Sequence, residues 1–148
     1  MTKQLLAVLR EGFEGPADDV TFYLDSNAGL RSTLASLTPE EASRNFAGNS
    51  VAAHAHHLLF SFAAFGDFIA GEPGKHDWNE SWRVAEVDDA QWAKLQGDLA
   101  RGYDELRQRI EANADRNGDA LAGSFSAVTH LAYHIGAIRQ KVAALRAS

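Results

Sequence analysis

Apolar residues recur along this chain at spacings of three and four, the period of a helix with one buried face. The pattern is clearest in the C-terminal half. It steps through Trp92, Leu95, Leu99, Tyr103, Leu106 and Ile110. Asp88 or Asp89 stands ahead of that run as an N-cap, and the Asn113–Asn117 stretch ends it. A second run passes through Val128, Leu131, Ile135, Ile138, Val142 and Leu145, predicting a last helix from near Asp119 to about Arg146. Upstream, Asn49 or Ser50 caps a helix that reaches about Ala70 and stops at Gly71. Leu58, Leu59, Phe60, Phe62, Phe65, Phe68 and Ile69 make it apolar almost all round, which marks a buried helix. The first helical region, Ala17–Leu37, is weaker and is interrupted at Asn27 and Gly29. Thr38-Pro39-Glu40-Glu41 predicts a short turn of helix through Ser43: an N-cap, a proline at the first position, and acids at the positive end.

Val and Ile hold no alternation with polar residues, so no strand is predicted. Four main helices joined by short links predict an all-α, antiparallel four-helix bundle. The exception is Gly71–Asp88, a long connection between the second and third helices that carries Trp78 and Trp82 and is expected to cross one end of the bundle. A chain of 148 residues suits one domain, residues 1–148.

Composition removes several functions. With no cysteine there is no thiolate nucleophile, Zn–Cys site, Fe–S cluster or redox pair. Fourteen Lys and Arg against twenty Asp and Glu leave a formal charge of −6, so nucleic acid is not an expected partner. The apolar piece Leu5–Leu9 meets Arg10 and Glu11 at once, too short and too charged for a signal peptide or a span. Leu58–Ala70 is broken by Ser61, Gly66 and Asp67 and reads as a buried helix. A cytoplasmic protein without membrane attachment is expected.

The candidate chemistry lies in histidines. Of six, His54 and His57 are three apart on the second predicted helix, and His130 and His134 are four apart on the last. Either spacing puts two side chains on one helix face. Random placement would give roughly 0.2 pairs at each spacing, so finding both is uncommon. His130 and His134 border the apolar stripe of the last helix, and polar groups on a buried helix must find partners. Imidazoles facing one another from two helices can meet around a metal ion; the other reading is hydrogen-bonded core histidines without an ion. His56 points to another side and reads as structural or surface, and His76, in a Gly/Pro/Lys loop, as solvent-exposed. The last helix has no acid after Asp119, and the second has only Asp67, about ten residues past its histidines, so a carboxylate-rich dinuclear centre is disfavoured. A mononuclear three-histidine site suits Zn, Ni, Cu or Fe and leaves positions open for water or substrate.

Ser50-Val-Ala-Ala-His54-Ala-His-His57-Leu and His130-Leu-Ala-Tyr-His134-Ile-Gly136-Ala-Ile-Arg139-Gln140 resemble the second-helix and last-helix motifs of DinB-like (YfiT-like) metal-dependent four-helix-bundle proteins. The likeness runs from about Leu30 onward and includes Asp77-Trp78-Asn-Glu-Ser-Trp82 and the Trp92 helix. It implies an up-down-down-up bundle with a divalent metal, zinc or nickel, on His57, His130 and His134. His54 is then a further ligand or a pocket residue. The resemblance also implies a homodimer acting on a small-molecule substrate: a thiol S-transferase or related hydrolase using a low-molecular-weight thiol or water. A non-catalytic, dimeric, stress-related metal- or ligand-binding bundle is the alternative. Trp78 and Trp82 are candidates for the pocket mouth, or a plain cover over the core. Tyr133 is expected to pack off the ligand face, and Arg139 to form a structural ion pair.

Overall fold

The structure is a computed structural model that describes residues 1–17, 20–72 and 74–148. The described residues form six helices: α1 (Thr2–Glu14), α2 (Leu30–Ala35), α3 (Pro39–Ser43), α4 (Val51–Ala70), α5 (Asp89–Asn113) and α6 (Gly118–Ala147). A 3-10 turn spans Trp78–Trp82. Among the described residues the only β features are two isolated bridges.

The predicted caps account for most boundaries. Ser50 Oγ accepts from the backbone N–H of Ala53 at 3.0 Å and starts α4; Gly71, at φ 74°, ends it in the left-handed region. Thr38 and Glu41 form a capping box on α3, and Asp88 and Gln91 form one on α5. Asn117 Oδ1 accepts from Ala120 N–H at 2.8 Å and opens α6.

The N-terminal third departs from expectation. The long helix there is α1, not Ala17–Leu37. Leu5, Leu9 and Phe13 recur every four residues and are buried, while Arg10 and Glu14 pair on the outer face at 3.2 Å. Glu11 points inward. Its carboxylate accepts the backbone N–H groups of Phe22, Tyr23 and Leu24 at 2.6, 2.7 and 2.7 Å. Those are three consecutive donors that a helix would have directed to carbonyls of its preceding turn. Val20, Phe22 and Tyr23 are left exposed, and Asn27 adopts φ 61°. Helix resumes only at Leu30. Just before it the backbone passes so close to Gly15 that a Cβ on Gly29 would lie 2.4 Å from Gly15 N.

One buried cluster joins α1, α2, α4, α5 and α6. The residues predicted to line α5 are all within it, and so are Val128, Leu131, Ile135, Ile138 and Val142 of α6. Phe13 stacks on Tyr103 with centroids 4.2 Å apart, binding α1 to α5. Helix α4 packs on both α5 and α6, and α1 closes the opposite side against the same two helices. No helix of the described residues is long and apolar enough to cross a membrane.

The Gly71–Asp88 connection does not cross one end of the molecule. It leaves the C-terminus of α4 and returns to its N-terminus, where Ser50 Oγ donates to the Ala85 carbonyl at 2.6 Å. Ser43 Oγ then accepts from Val87 N–H at 2.9 Å. The connection thus runs back along a helix of 20 residues, about 30 Å. That path lays the 3-10 turn beside the histidines of α4.

Candidate metal centre

His54 and His57 lie in the first two turns of α4, and His130 and His134 near the middle of α6. The helices pack on each other and bring the two pairs face to face. One nitrogen each from His57, His130 and His134 falls within a set whose members all lie within 4.8 Å of one another. His57 and His134 are buried, and His130 is half-buried. His57 Nε2 lies 3.1 Å from His130 Nε2.

Hydrogen bonds around the triad set its tautomers. Ser81 Oγ donates its single proton to the Trp78 carbonyl at 2.6 Å. At 2.8 Å from His57 Nδ1, the same oxygen must therefore accept, which places the His57 proton on Nδ1. Nε2 is then a lone pair aimed at His130. Without an ion, two adjacent Nε2 atoms can satisfy each other only if His130 lends a proton. With an ion, both lone pairs have a common target. For His134 to present Nε2 as a lone pair, its Nδ1 must carry the proton, and His54 Nδ1 is there to accept it at 2.9 Å. His54 thus sits behind His134 rather than inside the triad, as an orienting partner of the kind that fixes ligand imidazoles.

The site favours neutral imidazoles. Burial pushes His57 down to about 4, and His134 to about 3, with neighbouring imidazoles adding to both. Burial, then the nearby Lys141 ammonium, takes His54 to about 4. Burial lowers His130 as well. At neutral pH the nitrogens are unprotonated donors, the form a metal requires.

The tryptophans flank this cluster. Trp82 stacks on His57 with centroids 4.1 Å apart and planes at 16°, and presents its edge to His54 at 5.2 Å. Trp78 packs against His57, Phe60 and Phe65. Both stay partly open to solvent, at 37% for Trp82 and 43% for Trp78, so they border the site without sealing it. His56 is structural: its Nδ1 meets the Ser81 carbonyl at 2.8 Å, so adjacent histidines of α4 grip the same serine.

Three expectations need correction. His76 is half-buried rather than free in solvent, because Asp67 of α4 holds its Nε2 at 2.8 Å. Tyr133 does not pack in the interior: it is 74% exposed, its ring set at right angles to His134. Arg139 forms no ion pair among the described residues and lines a surface cleft with Arg146, Ser32 and Ser36.

Two functional neighbours escaped the sequence reading. Ser81 carried no signal, since nothing local says that a turn residue will meet a histidine 24 positions upstream. Lys141 did carry one. It lies seven residues after His134, on the inward stripe that includes Leu131 and Ile138. A lone charge on that stripe marks a buried ammonium.

Compared with family models, curated proteins and solved structures, the chain shows no match to any of the three.

Proposed function

We propose that this chain is a divalent-metal protein of the DinB-like type, an up-down-down-up bundle with His57, His130 and His134 as the protein ligands. Convergence of three neutral imidazoles from two helices carries this reading. The return of the 71–88 connection along α4 supports the helix order, because it starts α5 beside the start of α4. Three nitrogens leave coordination positions open, the pattern of a catalytic rather than a structural site. A zinc or nickel ion there would act as a Lewis acid and lower the pKa of a low-molecular-weight thiol or a water. The chain's own part is to hold the imidazoles neutral, orient His57 through Ser81 and His134 through His54, and screen one side with Trp82. The reaction class is transfer of that thiol, or of water, to a small electrophile.

Elemental analysis of untagged protein, followed by equilibrium dialysis against zinc and nickel, tests the reading. One equivalent of ion per chain is expected, lost in His130→Ala. Turnover of an electrophile that requires both metal and thiol would establish the thiol branch. A wild-type protein that retains no ion and takes up neither metal would overturn the proposal.

A further inference from the structure

Lys141 is 7% exposed, and its Nζ donates to the carbonyl oxygens of Phe46 and, at 3.3 Å, Ala47. An ammonium has three donors, and these two neutral acceptors occupy two. No carboxylate lies within ion-pair distance of Lys141 among the described residues. A buried cation without a countercharge is costly, and burial lowers the Lys141 pKa accordingly; a bound anion would oppose that shift and hold the ammonium charged. Lys141 also lines an open surface cleft of about 600 Å³, together with His54, Trp82, Tyr133, His134 and Gln140. That volume falls in the range of small-molecule sites.

No Asp or Glu contributes to its lining, as in the clefts at Phe68 and at Arg139, but of these three it alone holds a buried ammonium. The two cavities against α5 differ: one includes Glu86 and Asp98, the other Asp67, Asp98 and Glu105. Here a single cation shares the lining with the exposed ring of Tyr133, the partly open ring of Trp82 and the exposed Gln140. One ammonium with one spare donor matches one negative charge. Two aromatic faces match a flat, apolar body.

We propose that this cleft binds a small aromatic carboxylate, its anionic head on the Lys141 ammonium and its planar body against Trp82 and Tyr133. The site goes beyond the metal reading and stands without it.

The test uses benzoate as the probe and benzamide as its neutral counterpart. Each is titrated into full-length protein kept in EDTA, followed by tryptophan fluorescence and by the tyrosine and indole proton resonances. Saturable benzoate binding at least tenfold tighter than benzamide is expected. Lys141→Met should remove that preference. Because Lys141 also braces the turn at Phe46 and Ala47, that variant can fail to fold. Gln140→Glu, at an exposed rim position, then serves instead and should weaken benzoate while sparing benzamide. Equal binding of the two probes, no saturable benzoate signal, or a preference that survives these substitutions overturns the assignment. With EDTA present, the result does not depend on whether the triad binds metal, so the two proposals fail separately.

Discussion

Glu11 and the histidine cluster are both polar groups buried in one helical core, and their surroundings solve the burial problem in opposite ways. Glu11 receives three backbone N–H groups from a single loop, each at 2.7 Å or less. Burial alone would raise its pKa; those three bonds outweigh burial and leave the carboxyl below its ordinary value. Every donor is a backbone N–H, and three of the carboxylate's roughly four acceptor sites are taken. The histidines instead meet one another. His57 and His130 approach through their Nε2 atoms, and His54 and His134 through Nδ1. Neutral imidazoles carry one proton each, so such a cluster keeps lone pairs in reserve. A buried polar group supplied by the backbone holds a fold together. One supplied by other side chains, as His57 is by His130 and Ser81, keeps coordinating capacity.

The largest effect that can break this contrast is at Glu11. Glu11→Ala strands three backbone donors and should lower unfolding stability by about 3 kcal/mol or more, read from urea denaturation. A loss below about 1 kcal/mol would mean that water takes over the carboxylate's role and the loop is not held by it. At the histidines the corresponding change should appear only with metal. Saturating zinc or nickel, at 100 times its dissociation constant, should stabilise wild type by about 2.7 kcal/mol. Alanine at His57, His130 or His134 should abolish that increment; an increment that survives all three places the ion elsewhere.

The orienting partners come next. Ser81→Ala and His54→Ala each leave the triad intact but release one imidazole, and should weaken metal binding about 10- to 100-fold. Affinity unchanged in both would show that packing alone aligns the rings. Acid sharpens the comparison last. The Glu11 carboxyl is depressed in the folded chain, so its contribution is fully present above the ordinary 4.5 and is lost as pH falls from there through the lowered folded value. The stability gap between wild type and Glu11→Gln should hold constant from pH 7 to about 5 and shrink below 4.5. A gap that widens on acidification would reverse the sign assigned to those three hydrogen bonds.

How much was legible follows from the range of each interaction. Helices α4, α5 and α6 were visible because caps and apolar periodicity are local, and Ser50, Asp88 and Gly71 act within a few residues of their own positions. The histidine pairs were visible for the same reason, since spacings of three and four fix a helix face. Helix α1 was missed because Arg10 and Glu11 interrupt its apolar run, although Leu5, Leu9 and Phe13 keep the spacing. The Phe22–Leu24 stretch stays out of helix because its backbone donors serve Glu11 of another segment, which no local pattern reports.

What the amino-acid sequence determined alone is the set of long helices after Ser50 and the faces on which the four site histidines stand. The tertiary structure decided which of His54 and His57 joins His130 and His134, that Ser81 and His54 stand behind the ligands, and that Glu11 takes a loop out of helix. Those outcomes depend on contacts between residues far apart in sequence, such as the 80 positions from His54 to His134. Local spacing fixes a side chain's direction on its own helix, and only packing of the helices fixes what that side chain meets.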